Sequence, residues 1–212
     1  MPNWCMTNYC FTGNAHHIKK FHDALKEWTS KPGMENGFGD NWLGNILYHA
    51  GLGDLINCDD NSKRLRCRGT LYDLDYEYGN DYFYLTTETA WCPMPMMFQK
   101  VIDHLGYDIV FAYQSEEPNM GYYEIYDPHN IGTYDGEDIY VDTFFEDEEK
   151  VIEKYPFLDY LYDFRYMSMN EFNDFLKENG FKSVQELEEL ELPNENDYIS
   201  VHFFERVDEL CC

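Results

Sequence analysis

Apolar and polar positions in the N-terminal part of the chain change from a strand-like to a helix-like pattern. The run at residues 9–12 is followed by Gly13-Asn14, which indicates a short strand that ends in a turn. Asn14 is a residue type that caps helices, and the segment from Ala15 to Trp28 has apolar side chains at helical spacing. Those side chains are Ile18, Phe21, Leu25 and Trp28. The pattern therefore predicts one strand that leads into one amphipathic helix.

Glycine and proline punctuate residues 29–68, where a short apolar run at 42–50 predicts a single short helix. We interpret this segment as an insertion and not as an independent domain. Beyond it, residues 70–78 and 82–89 alternate imperfectly between polar and apolar or aromatic side chains, which is typical of strands. Gly79-Asn80 lies between the two runs and favours a tight turn. The sequence therefore predicts an antiparallel hairpin after the insertion.

Two prolines mark the start of a second predicted helix. Pro93 and Pro95 lack the N–H group that a sheet requires, so the preceding strand is expected to end near Trp91. Pro95 suits the first turn of a helix, and Gly106 suits the position after its end. The helix is predicted to run to Leu105 and to face a sheet. The side chains on that face are Phe98, Val101, Ile102 and Leu105.

Two further runs, at residues 109–113 and 122–126, predict strands that are separated by a polar turn at Glu116-Glu117-Pro118-Asn119. The resulting order is β-α-β-β-α-β, with an insertion after the first helix and one additional strand. This is the order of the ferredoxin-like split β-α-β fold, in which two helices pack on one face of an antiparallel sheet. The predicted class for residues 1–127 is therefore α+β with a ferredoxin-like sheet.

A resemblance to a known family supports the same fold. The features that carry it are the opening Met1-Pro2-Asn3-Trp4-Cys5 with Asn8, the turn Thr89-Ala90-Trp91-Cys92-Pro93, and the tyrosine-rich strand pair at Gly121. Together they resemble the YubB-type ferredoxin-like family, mostly small proteins of phages, plasmids and gut bacteria. Cys92 and Met94 stand where that family tends to have serine and a second proline. The resemblance covers about residues 1–127 and implies a mobile-element setting, but the family has no established activity and implies no catalytic residue.

The pattern of residues after Asp127 differs from that of the first part of the chain. Ser168 with Glu171 and Ser183 with Glu186 have the spacing of capping boxes, in which each side chain satisfies a backbone N–H of the other residue. The predicted elements are helices at residues 169–179 and 184–190 and a final strand at 198–207. The sequence therefore predicts an acidic, mainly helical extension over residues 128–212 that ends in a strand and packs on the first domain.

Charge separates the two halves of the chain. With 41 acidic and 15 basic residues the net charge is −26, whereas a small domain usually carries a magnitude of about 2–8. Residues 1–105 hold 13 acidic and 9 basic side chains, and residues 106–212 hold 28 and 6. A negative field repels phosphates, so direct binding of nucleic acid is not expected without a counter-ion or a local basic patch.

The basic and aromatic residues of the first half are interpreted as structural and not as ligand-binding. The basic cluster consists of Lys63, Arg64, Arg66 and Arg68. It is interpreted as a solvated loop rim that balances Asp59 and Asp60. Trp4, Trp91 and the tyrosines suggest a stacking platform for bases, as in ferredoxin-like RNA-binding modules. Because such platforms need basic surroundings, packing in the core and on the sheet faces is the favoured interpretation.

The acidic second half favours a protein that imitates nucleic acid. Carboxylates can replace phosphates in pairing with Arg and Lys, and opposite potentials speed encounter. The sequence thus predicts a non-enzymatic interaction protein that occupies a basic nucleic-acid-binding protein, such as a nuclease or a CRISPR effector. An inhibitor of host defence, including the anti-CRISPR type, also fits the mobile-element resemblance. The candidate partner-binding residues are Asp135, Glu137, Asp138, Asp142, Glu146, Asp147, Glu148, Glu149, Glu186, Glu188, Glu189 and Glu191.

Two other functions stay open, a carboxylate-metal-dependent enzyme and a binding module of unknown partner. The fragment Asp135-Gly136-Glu137-Asp138 offers oxygen ligands for Ca²⁺, although an ordinary acidic loop is favoured. Cys92 precedes a predicted helix, but no histidine lies nearby in sequence, which favours a packed turn thiol over a nucleophile. Walker, G-x-G-x-x-G, G-x-S-x-G and EF-hand spacings are missing from the sequence. No catalytic residue, metal ligand or cofactor is predicted.

Cysteine usage and the N-terminus predict a cytoplasmic protein. The seven cysteines are an odd number without C-x-x-C spacing, which favours reduced thiols, and the terminal Cys211-Cys212 is interpreted as an accidental pair. The chain does not open with a basic region followed by an apolar run, so no signal peptide is expected. No window approaches the ~18 apolar residues of a membrane span.

Overall fold

The computed structural model of the chain describes residues 3–33, 39–163 and 165–210. Part of the predicted insertion, residues 34–38, and the predicted thiol pair Cys211-Cys212 therefore lie outside the described residues. The chain divides into two compact units, the first formed by residues 1–133 with 206–212 and the second by 134–205. Each unit has its own hydrophobic core. The C-terminal residues thus join the first unit, which the predicted division into 1–127 and 128–212 does not include.

The described residues form a mixed α+β structure, which confirms the predicted class. The strands are β1 (Trp4–Gly13), β2 (Gly69–Asp75), β3 (Tyr82–Ala90), β4 (Ile109–Glu117), β5 (Tyr122–Tyr126), β6 (Ile139–Phe144), β7 (Tyr166–Met167), β8 (Tyr198–Phe203) and β9 (Glu205–Val207). The helices are α1 (Ala15–Trp28), α2 (Leu43–His49), α3 (Pro95–Leu105), α4 (Glu148–Lys154), α5 (Leu158–Asp163), α6 (Met169–Glu178) and α7 (Val184–Glu188). α2 is the short helix that the sequence predicts inside the insertion. Within the described ranges, no helix has the length and apolar character to cross a membrane.

A six-stranded, mostly antiparallel sheet in the order β2-β3-β1-β4-β5-β9 forms the first unit. β1 lies at its centre and pairs antiparallel with β3 on one side and β4 on the other, with Trp4 opposite Ala90. The sequence predicted this strand only for residues 9–12, because polar residues interrupt the apolar pattern before them. One of these, Thr7, is fully buried, and its hydroxyl lies 2.9 Å from the hydroxyl of Ser115 in β4. Pairing between polar groups inside the sheet therefore extends β1 beyond its apolar run.

Helices α1 and α3 begin and end where the sequence predicts. Asn14 caps α1, because its side-chain oxygen accepts hydrogen bonds from the backbone N–H groups of His16 and His17, at 3.0 and 3.4 Å. Pro95 is the first residue of α3, and Gly106 follows its end with a φ of 64°. This left-handed conformation costs glycine little, since glycine has no Cβ. The local start and stop signals of both helices are confirmed.

Phe11 of β1 connects both helices to the sheet. Its ring centroid lies 5.6 Å from that of Phe21 in α1 and 5.5 Å from that of Phe98 in α3. It also stacks on Phe83 of β3 at 5.0 Å and lies 5.3 Å from Phe111 of β4. All five rings are buried. α1 and α3 therefore pack on the same face of the sheet, and an aromatic cluster forms the centre of that core.

The predicted polar turn at residues 116–119 is wrong, because β4 continues to Glu117, which pairs with Tyr122 of β5. Glu117 is fully buried, and one of its carboxylate oxygens accepts a hydrogen bond from the Asn119 side chain at 3.2 Å. The turn instead occupies the short 3₁₀ segment Pro118–Met120. A buried carboxylate within a strand cannot be recognised from polarity alone.

The single strand predicted at residues 198–207 is also wrong. The segment divides at Phe204 into β8 and β9, which belong to different sheets. Phe204 is buried, and its N–H donates to the backbone carbonyl of Asp138 at 2.9 Å. This bond uses the N–H at the break between the two strands.

The second unit contains a three-stranded sheet in the order β7-β6-β8 and the helices α4 to α7. β6 pairs antiparallel with both neighbours, and its residues Ile139 and Val141 are fully buried. The sequence prediction missed this strand, which runs through the acidic stretch. Helices α6 and α7 are confirmed, although each ends slightly earlier than predicted. The capping box of Ser168 and Glu171 at the start of α6 is present in both directions.

Replacing Tyr113 by phenylalanine is expected to lower the free energy of unfolding by about 2 kcal/mol. The Tyr113 hydroxyl donates a 2.5 Å hydrogen bond to the Glu124 carboxylate, which is 6% exposed and would lose this partner. Burial, and then the bond to Glu124, raise the pKa of Tyr113 far above its ordinary value, so the hydroxyl stays a donor. Urea unfolding measures the change. Tyr72→Phe, at a side chain that is 68% exposed, is the control, and equal midpoints for the two variants would contradict the prediction.

Candidate functional site

All of the carboxylates predicted to bind a partner lie in the second unit. Residues 134–205 contain 21 acidic and 5 basic side chains, which gives this unit a net charge of −16. Such an excess over a short stretch of chain produces a strong negative potential, which attracts basic partners and repels phosphates. The structure shows what each candidate carboxylate contacts within this unit.

Two of the candidates in and before β6 stabilise the fold. An Asp138 carboxylate oxygen accepts a hydrogen bond from the N–H of Met169 at 3.2 Å. An Asp142 oxygen accepts one from the Tyr198 hydroxyl at 3.0 Å. Burial, and then the bond to Asp142, raise the pKa of Tyr198 above its ordinary value. Asp138 and Asp142 therefore tie β6 to α6 and β8, in addition to adding charge.

Of the candidates around the start of α4, one stabilises the helix and the others are carboxylates exposed to solvent. Asp147 is the N-cap of this helix: its side chain accepts from the N–H of Lys150 at 3.3 Å and forms an ion pair with the Lys150 ammonium. These contacts lower the pKa of Asp147 below its ordinary value. Glu148 and Glu149 are exposed in the first turn, where the helix dipole favours negative charge. Glu146 is exposed just before the cap.

The candidates on and after α7 divide in the same way. The Ser183 hydroxyl accepts a hydrogen bond from the N–H of Glu186, but the Glu186 carboxylate accepts from the N–H of Lys182 at 2.7 Å, so the predicted capping box forms in one direction only. Glu188 accepts one of 2.8 Å from the N–H of Val201 and so joins α7 to β8. Glu189 accepts a 2.7 Å bond from a side-chain amide one turn earlier. Glu191 is exposed just beyond the helix. Asp135 and Glu137 precede Asp138 in the chain, and Asp135 is exposed whereas Glu137 is partly buried.

The predicted carboxylates are not assembled into a metal centre. Across residues 3–33, 39–163 and 165–210, no group of three or more His, Cys, Asp or Glu side chains is placed to hold a metal ion. This includes the fragment Asp135-Gly136-Glu137-Asp138, for which the sequence left a Ca²⁺ site as a minor alternative. The observed contacts make the acidic residues helix caps, strand links and displayed surface charge.

The first unit contains a cavity of about 890 Å³ that sequence reasoning missed. It lies where β1 and β2 begin and β3 ends, and Trp42, the residue before α2, forms part of its wall. We call it the Trp–Arg cavity after the side chains that dominate its wall. These are Trp4, Trp42, Trp91, Arg64, Arg66 and Arg68.

Trp91 adopts an unusual backbone conformation at the mouth of this cavity. Its φ is 70°, in the left-handed region that bulky residues rarely adopt. Its N–H donates to the carbonyl of Asn3 at 2.9 Å, and the neighbouring Ala90 N–H donates to the carbonyl of Arg68 at 2.9 Å. The Arg68 guanidinium lies over the Trp91 ring, 4.6 Å from its centroid. Trp91 and Trp4 are 45% and 47% exposed, so these two rings do not lie in the core, which is one of the two places that the sequence interpretation gave them.

The arginines of the cavity do not serve as a charge-balanced loop rim. Lys63 pairs with Asp60 at 2.9 Å, as the sequence suggested. Arg64, Arg66 and Arg68 form no ion pair with a carboxylate in the described part of the chain, and they line the cavity. The signal that could have found them is the alternation of basic and buried residues at 64–68. That period of two indicates an extended segment with one basic side.

Two thiols belong to the wall of the cavity. Burial raises the pKa of Cys67 to about 11, so this thiol stays protonated near neutral pH. Cys92 is partly exposed, and its backbone carbonyl accepts a 2.8 Å hydrogen bond from the Thr89 hydroxyl. This bond involves the backbone of Cys92 and holds the turn between β3 and α3.

Comparisons of the chain with protein-family models, with curated proteins and with solved structures found no match.

Proposed function

We propose that the protein is a non-enzymatic interaction protein whose acidic surface imitates nucleic acid and binds a basic nucleic-acid-binding protein, such as a nuclease or a CRISPR effector. The observation that carries the proposal is the net charge of −16 on residues 134–205. A surface with this charge speeds encounter with a basic groove, and its carboxylates can take the place of phosphates in pairing with Arg and Lys. The protein would thereby inhibit the nucleic-acid-handling partner.

The proposal assigns the first unit to a ferredoxin-like domain of the YubB type. Two observations support this assignment: the strand order β2-β3-β1-β4, and the packing of α1 and α3 on one face of the sheet. β5 and β9 extend that sheet on one side. The resemblance adds a phage or plasmid setting, in which an inhibitor of host defence, including the anti-CRISPR type, has a role.

The contacts of the carboxylates favour some of them over others as partner-binding side chains. Asp147, Glu186 and Glu188 are occupied by helix caps and by a strand N–H, so their main role is in the fold. Exposed carboxylates without a side-chain hydrogen bond to another described residue are better placed for a partner's cations. These are Asp135, Glu148, Glu149 and Glu191. We therefore place the centre of the proposed interface on these four side chains.

The test is capture from a nuclease-treated bacterial lysate with the intact protein as bait, followed by two elutions. Salt is raised from about 50 mM to about 500 mM, over which the Debye length falls from roughly 14 Å to roughly 4 Å. A parallel sample is eluted with double-stranded DNA at low salt. The expected result is a basic nucleic-acid-binding protein that both treatments release. A retained protein that DNA does not displace would argue against mimicry.

Neutralising the displayed carboxylates is expected to weaken capture of that partner about tenfold, because the four charges contribute directly to the pairing. The variant carries Asp135→Asn, Glu148→Gln, Glu149→Gln and Glu191→Gln. A matched control removes four exposed charges from the first unit through Asp54→Asn, Asp59→Asn, Asp75→Asn and Glu77→Gln. Titrating each bait against the purified partner measures the two affinities. An equal loss in both would show a non-specific charge effect and overturn the proposed interface.

A further inference from the structure

The Trp–Arg cavity has the size and apolar wall of a small-molecule site. Its volume of about 890 Å³ falls within the roughly 300–1,000 Å³ of typical ligand pockets. Trp42 is buried at 8% exposure, whereas Trp4 and Trp91 leave about half of their surfaces in contact with solvent. Aromatic rings that stay open beside a concave wall offer flat surfaces on which another planar group can stack.

The charge on this wall is opposite to that of the whole chain. Among the described residues that line the cavity, three are arginines and none is acidic, although the chain has 41 acidic side chains. Guanidinium groups bind phosphate and carboxylate through paired hydrogen bonds. Met94 also lines the cavity and immediately precedes α3, which has no acidic residue in its first turn. The positive end of that helix dipole adds to the same potential.

The strained backbone at Trp91 keeps one ring in this position. A left-handed conformation at a non-glycine residue costs about 1–2 kcal/mol, and such strain concentrates at ligand-binding positions. Hydrogen bonds from Trp91 to Asn3 and from Ala90 to Arg68 hold the turn in place. The bond from Ala90 also holds the backbone of Arg68 beside the ring that its guanidinium covers. The ring and the cation are therefore positioned by the fold before any ligand arrives.

The geometry points to a small organic anion with a planar ring, of the nucleoside monophosphate class, as the ligand of the Trp–Arg cavity. The ring would stack on a tryptophan and the phosphate would pair with Arg64 and Arg66, whose guanidinium groups do not lie over a ring. A nucleic acid polymer fits less well, because its further phosphates would extend beyond the arginines into the field of the first unit, whose own net charge is −10. A compact anion places its charge only beside the arginines. This site lies in the first unit and does not depend on the acidic surface of the second.

Binding is tested by titrating the intact protein with adenosine 5′-monophosphate, adenosine and inorganic phosphate in separate experiments. Three of the four tryptophans line the cavity, so intrinsic fluorescence reports on its occupancy. The expected result is saturable quenching by the monophosphate, with a dissociation constant at least about tenfold below that of adenosine or phosphate alone. No saturable signal, or equal affinity for all three probes, would overturn the inference. Tighter binding of an oligonucleotide that grows with its length would also overturn it.

Arginine substitutions separate a built site from a general charge effect. Arg64→Gln combined with Arg66→Gln is expected to raise the dissociation constant of the monophosphate at least about tenfold. Lys63→Gln is the matched control, because Lys63 belongs to the same basic segment but is exposed and pairs with Asp60 outside the lining. It should change the affinity less than about twofold. Unchanged affinity in the double variant, with an unchanged melting temperature, would overturn the assignment.

Cysteine alkylation gives a second readout that does not rely on fluorescence. Cys92 lines the cavity and Cys58 does not, while both thiols are partly exposed. Saturating adenosine 5′-monophosphate is expected to slow alkylation of Cys92 by iodoacetamide severalfold and to leave Cys58 unchanged, as measured by peptide mass spectrometry. Equal rates at Cys92 with and without the nucleotide would contradict binding in this cavity.

Discussion

Replacing Phe11 by alanine is expected to lower the free energy of unfolding by about 3–5 kcal/mol, the range for removing a buried aromatic ring. Phe11 is fully buried at the centre of β1 and contacts aromatic rings from two other strands and from both α1 and α3. Removing the ring loses the free energy gained by transferring it from water to the core. It also leaves a cavity between the helices and the sheet that these elements cannot fill by moving together. Urea unfolding followed by circular dichroism measures the loss.

The control for this prediction is Phe11→Leu, which keeps most of the volume and is expected to cost about 1 kcal/mol. A loss of the same size in both variants would show that the apolar volume kept by leucine contributes nothing, which would contradict the cavity as the cause of the loss. A loss below about 1 kcal/mol for Phe11→Ala would contradict the central place given to this residue in the core.

Local patterns predict the helices of the first unit and the existence of its strands, but not where the strands end. The cap at Asn14, the proline at Pro95 and Gly106 are signals that act within one turn, so they can be read directly. The N-terminal half of β1 and the end of β4 contain polar residues such as Thr7 and Glu117. Their burial depends on partners on other strands, which no local pattern contains.

In the second unit, local patterns likewise predict helices but not how the strands pair. The capping signals of Ser168 and Ser183 find α6 and α7. β6 is not predicted because it has few buried apolar positions, such as Ile139 and Val141, and these lie within an acidic stretch. The break at Phe204 separates two strands that belong to different sheets, and only the fold reveals it.

The two candidate sites differ in how well they can be predicted from the sequence. Acidic residues can be counted along the chain, and their charge is a property of composition. The acidic surface can therefore be predicted without a structure. The Trp–Arg cavity joins residues near positions 4, 42, 64–68 and 91. Strand pairing brings them together, since Trp4 pairs with Ala90 and Gly69 with Thr89. The arginines and tryptophans were visible in the sequence, but their proximity was not.

The two proposed sites place opposite potentials on different units of one chain. The second unit carries a net charge of −16, which repels phosphates, whereas the cavity wall of the first unit contains three arginines. The net charge of −10 on the first unit also selects among anions, because it disfavours those with charge beyond the cavity. The chain as a whole is therefore expected to discriminate strongly between a monophosphate and a polyanion.

Gly69 controls the approach of the basic segment to the sheet. It is the first residue of β2 and pairs with Thr89 of β3. A Cβ atom added here would lie 2.4 Å from the carbonyl oxygen of Glu88 and 2.8 Å from the Cα of Thr89. Both are backbone atoms of β3, so a larger side chain can be accommodated only if the two strands separate.

Gly69→Val is accordingly expected to lower the free energy of unfolding by about 3 kcal/mol, the upper end of the usual overpacking cost. Because Gly69 follows Arg68 directly, separation of the strands would also move the arginines away from Trp91 and abolish monophosphate binding in the fluorescence titration. Thr70→Val, a substitution to the same side chain at the next position of β2, is the control and should cost less than about 1 kcal/mol. Retained binding in Gly69→Val, together with a stability close to that of the control, would show that the close contact between β2 and β3 does not position the cavity.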